Sequence, residues 1–186
     1  EARSELGIPS NCFVVCYIGR LIPLKRVDDL IEAISALKLR LNRPLSGLFV
    51  GSGALLSVLS KRAAAAGVDA HWVGFQGRRG VAKYLAASDL LVNPSSSETW
   101  GVVLNEAIAF GLPVIASDQV AAGYDLVFPG VNGDTYPVGD IQRLTDLVYR
   151  AATDGFSQAV QTNSLLSTRF SSQNAALGIL KAAKLR

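Results

Sequence analysis

The stretch PSSSETWGVVLNEAIAFGLPV, residues 94–114, reads as a polar loop, then a helix, then the start of a strand. Three serines open it, the apolar run WGVVLNEAIAF follows, and Gly111 stops that run where a helix would end. PVIAS continues as a strand. Two glutamates, Glu98 and Glu106, bracket residues that are otherwise small or apolar. On one continuous helix, eight steps of 100° would leave them about 80° apart, on neither the same face nor opposite ones. Gly101 reads better as the helix start, which leaves Glu98 in the loop before it and Glu106 in the second turn. Two different elements then hold the two carboxylates, with free helix amides between them.

Outward from this stretch, short apolar runs alternate with helical patterns. CFVVCYIG reads as a first strand, followed by a helix from Val27 to Leu41. GLFVG is a second strand, ALLSVLSKRAAAAG a helix closed by Gly67, AHWVGF a third strand, GVAKYLAAS a short helix and DLLVNP a fourth strand. PVIAS is the fifth. DLVFPGVNGDTYPVGD reads as short strands joined by turns, IQRLTDLVYRAATDG as a helix, and Ser171 as the N-cap of a last helix over residues 171–186. Strands that are apolar throughout, alternating with helices, predict a parallel sheet covered on both faces. The expected fold is α/β: a doubly wound, Rossmann-like parallel sheet. It forms one domain over residues 1–186, with residues 1–10 as a linker.

In such folds ligands sit at the carboxyl ends of the strands. The loops there are GRLIPLK, GSG, FQGRRG, NPSSSETWG and SDQVAAGYD, and they hold Arg20, Lys25, Arg26, Arg78 and Arg79. Lys25 and Arg26 at the start of a helix oppose its macrodipole, at about 0.3–1 kcal/mol each, a conflict that a bound anion would resolve. The alternative is that Asp28 and Asp29 compensate the dipole and the basic residues are only solvated. Amides of Gly101, Val102 and Val103 can hold phosphate oxygens. Glu106 can accept from a vicinal diol such as ribose, and Glu98 from hydroxyls of a second ring. Hydroxyls, phosphates, hydroxyls is the outline of a nucleotide-sugar.

Bulk properties restrict the other classes. The 186 residues are 49% hydrophobic and 18% charged, enough to bury a core. Mean hydropathy is +0.30, yet no apolar run approaches the roughly 18 residues of a membrane span. A net charge of +3, without a Lys/Arg block or an aromatic stripe, does not predict a nucleic-acid partner. Cys12 and Cys16 share one strand, where four extended residues span roughly 13 Å, so they cannot bridge each other. Reduced, buried thiols fit the cytosol. There is no methionine, which suggests a piece of a longer protein. His71 reads as structural.

The segments GRLIPLKRVDDLIEAI, VGSG, SETWGVVLNEAIAFGLPVIASD and GVNGDTYPVGD resemble the carboxyl-terminal half of the retaining GT-B glycosyltransferases of family 4. The E-x7-E element followed by A-x-x-x-G-x-P-V carries most of that resemblance. It implies transfer of a sugar from a nucleotide-diphosphate donor to a hydroxyl acceptor, of the kind used in glycan, lipopolysaccharide or glycolipid synthesis. Arg20, Lys25 and Glu98 would be the catalytic set, the two cations neutralising the diphosphate and Glu98 contacting the transferred sugar. Gly19, Gly53, Gly74, Phe75, Thr99, Trp100, Gly101, Val102, Val103 and Glu106 would complete the donor site, with Glu106 on the ribose and Gly74–Phe75 walling the base. No D-x-D motif is present, since Asp28 and Asp29 are adjacent on a helix, so no metal and no cofactor is expected.

The resemblance also implies an acceptor-binding amino-terminal domain in cis, missing from this sequence. The piece alone would then bind donor weakly and transfer nothing. It allows peripheral association of the full-length protein with a membrane surface. Departures are Arg26 after the lysine, where glycine is frequent, and TWG in place of glycine-aromatic-glycine. Gly123 also comes late in the loop DQVAAGYD. Two other classes stay open. A dinucleotide-binding dehydrogenase module is suggested by LFVGSGALL, although Leu56 takes the third glycine position and the motif follows the second strand. The other is a non-catalytic Rossmann-like domain used for protein contact.

Overall fold

The computed structural model describes residues 2–170, so the helix expected from Ser171 lies outside the described residues. Six strands form one all-parallel sheet: β1 (Phe13–Ile18), β2 (Leu45–Val50), β3 (Asp69–Trp72), β4 (Leu90–Asn93), β5 (Val114–Ser117) and β6 (Gly133–Tyr136). Their spatial order is β3-β2-β1-β4-β5-β6. Among the described residues eight α-helices surround them: α1 (Ala2–Glu5), α2 (Val27–Leu37), α3 (Leu56–Ala65), α4 (Arg78–Leu85), α5 (Val102–Ala109), α6 (Ala121–Leu126), α7 (Ile141–Thr153) and α8 (Ala159–Arg169). The doubly wound parallel sheet expected from the alternation of runs is the fold observed.

Strand β1 shows why its sequence is apolar throughout. Side chains alternate across a sheet. Phe13, Val15 and Tyr17 enter one core with Leu30, Ile34 and Leu37 of α2 and Leu144 and Val148 of α7. Val14 and Cys16 enter the other, with Leu104 and Ile108 of α5 and Leu166 of α8. Both faces of β1 are thus buried against apolar side chains, where an unpaired polar residue would be costly. Burial raises the Cys16 thiol to about 12, which fits an inert packing residue, and both cysteines are free.

Several boundaries differ from expectation. α2 ends at Leu37 rather than Leu41, because the amides of Arg40 and Leu41 both turn back onto the Leu37 carbonyl. The 121–126 segment, read as loop, is α6, a helix too short for periodicity to reveal. Residues 125–140 supply one strand, β6, instead of several. Residues 2–5 form α1 within the expected linker. Its Arg3 donates to the Ala87 and Cys12 carbonyls and to Asp89, at 2.7, 3.0 and 2.8 Å.

The helix α8 was not anticipated, and its inward face gives the reason. That face is Ala159, Asn163 and Leu166, so a polar residue stands at the centre of the buried stripe. Asn163 donates to the Leu112 carbonyl at 2.7 Å and accepts from Asn132 at 2.8 Å, while Asn132 also donates to the Leu126 carbonyl at 2.9 Å. All of these groups are buried, so each bond lost leaves an unpaired polar atom in the core. Asn163→Ala is expected to lower stability by about 2–4 kcal/mol in urea unfolding, whereas Asn42→Ala, in an irregular surface segment, should stay within about 0.5 kcal/mol.

Candidate functional site

Strand order reverses between β1 and β4: the chain leaves β1 for β2 and β3, then crosses back to pair β4 on the other side of β1. The loops that follow β1 and β4 therefore diverge around a crevice at the carboxyl ends of these strands, the general ligand position of open α/β sheets. After β1 come Gly19, Arg20 and a 3-10 turn, Pro23–Lys25. After β4 come the serine loop, Glu98 and the start of α5.

Two clefts open here and meet at Ile18 and Gly19. One, of about 280 Å³, is lined by Tyr17, Gly19, Lys25, Asn93, Glu98, Thr99, Trp100, Gly101, Val102 and Val103. Its neighbour, of about 180 Å³, is lined by Arg20, Val50, Gly51, Ser52, Phe75, Gln76 and Val81. Phe75 is 80% exposed, a large aromatic face left in solvent at the rim. Most of the residues singled out from sequence thus converge.

Three do not line either cleft. Gly53 is a packing glycine, since a Cβ there would lie 2.3 Å from the Leu21 carbonyl oxygen. The Gly74 carbonyl accepts from the Gly51 amide at 2.8 Å and ties two of the loops together. Glu106 sits half-buried in α5, and burial raises its carboxyl above the ordinary value, against the lowering effect of the Arg78 charge at the start of α4. His71 lies in β3 with its Nε2 3.4 Å from the Asp69 carboxylate and lines neither cleft.

Gly101 begins α5 at φ 99°, a conformation that side-chain-bearing residues rarely adopt. A Cβ there would also lie 2.9 Å from Val120 Cγ1. The amides of Val102 and Val103 have no backbone acceptor among the described residues, as expected of a helix start, and both residues line the cleft beside Gly101. Asn93, missed in the sequence, ends β4 in the same cleft with its Oδ1 accepting from the Ser95 hydroxyl at 2.6 Å. Only its place at the end of a strand could have marked it. Tyr17, also missed, is buried beneath the cleft. Its hydroxyl donates to the Arg20 carbonyl at 2.8 Å, and burial, with the Glu98 charge adding, raises its pKa.

An ion pair joins side chains from the two halves of the crevice, between the Lys25 ammonium and Glu98 Oε2, with side chains 14% and 23% exposed. The Arg20 guanidinium, by contrast, makes no hydrogen bond or ion pair among the described residues and is exposed. The Lys25 turn is held firmly. Both the amide and the hydroxyl of Ser96 donate to the Leu24 carbonyl, at 2.8 and 3.2 Å. Beyond it, Arg26, the departure noted from the sequence, has φ 45°, the one positive φ outside glycine among the described residues. Its guanidinium grips the Asp29 carboxylate with two bonds, at 2.7 and 2.9 Å. That fork holds the side of the turn that glycine would have left loose.

A family model described as glycosyl transferases group 1 matches residues 1–164. A D-inositol 3-phosphate glycosyltransferase from Saccharomonospora viridis is 34% identical over 161 residues, covering 81% of this chain and 37% of that protein. The putative teichuronic acid biosynthesis glycosyltransferase TuaC of Bacillus subtilis is 37% identical over 119 residues, covering 63% of this chain and 28% of that protein. Among solved structures, HepE from Anabaena in complex with UDP and glucose superposes with a TM-score of 0.83 at 26% identity, covering 98% of this chain and 51% of HepE. The chain spans about half the length of that solved relative and 28–37% of these two curated ones.

The Arg26–Asp29 pair gives a prediction with a sign. Asp29 is buried, which raises its carboxyl, while the bond and charge of Arg26 lower it. A carboxyl raised on folding favours the fold most below its unfolded value and less as pH climbs through its folded value. Removing Arg26 raises Asp29 further. Arg26→Ala should therefore cost about 2 kcal/mol at pH 7, allowing for solvent at the partly exposed guanidinium, and clearly less at pH 4. Arg26→Gly, free of the backbone strain, should be about 1 kcal/mol less destabilising than Arg26→Ala. Thermal melts at the two pH values read both effects.

Proposed function

We propose, from the premise that the chain belongs to the glycosyl transferases group 1 family, that it is the half of a GT-B enzyme that binds a nucleotide-diphosphate sugar. The observation that carries this reading is the convergence of Arg20, Lys25, the free amides of Val102 and Val103, and Glu98 on adjoining clefts at the strand-order reversal. The diphosphate lies across Gly19, between Arg20 and Lys25, with its oxygens on the α5 amides. The base occupies the apolar cleft at Val50, Val81 and Phe75, and UDP in the HepE complexes supports a uridine nucleotide as the first donor to try. Glu106 takes the ribose hydroxyls and Glu98 those of the sugar.

The reaction is transfer of the sugar to a hydroxyl acceptor with retained anomeric configuration. As the glycosidic bond breaks, negative charge gathers on the departing diphosphate. Cations and amides already in place meet that charge without reorganising, and a donor of this kind is worth about 10²–10³ in rate. The basic pair then does what a metal does elsewhere, and the reading assigns no cofactor, since the donor arrives activated. The acceptor is held by an amino-terminal domain in cis. Among the described residues no helix is long and apolar enough to cross a membrane.

A non-catalytic role in protein contact predicts no nucleotide binding. Calorimetry with UDP, GDP and ADP sugars separates the two. At least one donor should bind, with Lys25→Ala and Arg20→Ala each weakening it about tenfold or more and Glu106→Ala weakening the nucleoside diphosphate as well. Heat from none of them, or affinities indifferent to all three substitutions, would overturn the donor-site reading. NADH, which a dehydrogenase module would bind, should give no fluorescence change.

A further inference from the structure

The donor site as read above asks Lys25 to meet phosphate and Glu98 to meet sugar, yet the two side chains hold each other. Neither has another hydrogen-bonded side-chain partner among the described residues. Their backbones are fixed independently. The Lys25 amide donates to the Ile22 carbonyl at 3.0 Å, and the Leu24 carbonyl is tied to Ser96. The Glu98 amide donates to Gln119 at 3.1 Å and its carbonyl accepts from Ala121 at 3.2 Å. Gly101 closes off another direction, because its Cα hydrogen face lies against the Glu98 stem, within 3.4 Å of where a Cβ would stand. Exchange of partners therefore requires rotation of two side chains and nothing more.

We infer that Glu98 competes with the donor's phosphates for Lys25, and so makes the site favour a nucleotide-sugar over the bare nucleoside diphosphate. The inference rests on the donor-site reading of the same clefts. A diphosphate can take Lys25 only by separating it from Glu98, which leaves a carboxylate, three-quarters shielded from water, beside a new negative charge. Like charges at such a distance repel, and a desolvated carboxylate without a donor is costly. A sugar on the far phosphate removes much of that cost, because its hydroxyls donate to the carboxylate that Lys25 has released. A nucleoside diphosphate brings no such donors. Glu98 is thus a specificity-determining residue that weakens retention of the leaving nucleotide after the sugar has gone.

The test compares affinities in the chain itself. Calorimetry with UDP, GDP and ADP first identifies the nucleotide that binds the unmodified chain, and Lys25→Ala checks that this binding uses the lysine. No binding, or binding indifferent to Lys25, overturns the donor-site reading and this inference with it. Where Lys25-dependent binding is present, Glu98→Gln should bind the nucleoside diphosphate about tenfold tighter, the step expected from freeing one charged hydrogen bond, while its affinity for the corresponding glucose conjugate rises less or falls. Glu98→Ala repeats the measurement with a side chain that cannot hold Lys25 through an amide oxygen. In a Lys25→Ala background the gain should shrink to the smaller share that comes from relieving direct repulsion between Glu98 and the phosphates, since a merely more positive surface would keep it whole. Unchanged or weakened diphosphate binding in both folded Glu98 variants, or a gain that is undiminished without Lys25, sinks the competition and leaves the donor site standing.

Discussion

The contact between Lys25 and Glu98 exists because the sheet reverses its order at β1. These residues lie 73 positions apart, and local structure gives no reason for them to meet. One follows the central strand by way of a 3-10 turn, and the other follows the neighbour that the chain reaches only after laying down two strands on the opposite side. A sheet wound in one direction would place another strand and its helix between them. Everything chemical about the crevice follows from that placement, including the start of α5 that lines the same space.

Having been brought together, the loops are held by backbone packing of unusual closeness. Gly51 approaches the Gly19 carbonyl so nearly that a Cβ would overlap it, and Gly53 does the same to Leu21. The loops after β1 and β2 thus support one another through main-chain atoms, with the Leu21 amide donating to Ser52 at 2.9 Å. Flexible side chains play little part in setting this floor. The groups that rise from it are the side chains of Arg20, Lys25, Phe75 and Glu98. A rigid floor with a few rotatable groups suits a ligand whose phosphates need fixed donors and whose rings differ in size.

The turn bearing Lys25 is stiffened by an uncommon device. Its neighbour Arg26 occupies a left-handed conformation that glycine would adopt without strain, and the side chain compensates by gripping a buried aspartate at the start of α2. The departure from the glycine of the resembling sequences is therefore not neutral. It exchanges backbone freedom for a charged clamp whose strength depends on the ionisation of Asp29.

Much of this molecule was legible in its residues. Continuous apolar runs between helical patterns can be satisfied only by strands buried on both faces, so the parallel sheet followed from composition and spacing alone. Gly101 and Gly111 marked the limits of α5. Helix α8 was hidden because the residue at the centre of its buried stripe, Asn163, is polar, and only a partner distant in sequence makes that polarity tolerable. The ion pair of Lys25 with Glu98, the half-burial of Glu106 beside neither cleft, and the packing role of Gly53 were decided by tertiary structure. Periodicity records what a residue does within about one turn of chain, whereas the meeting of charges depends on which strands are neighbours, and strand order leaves no local mark.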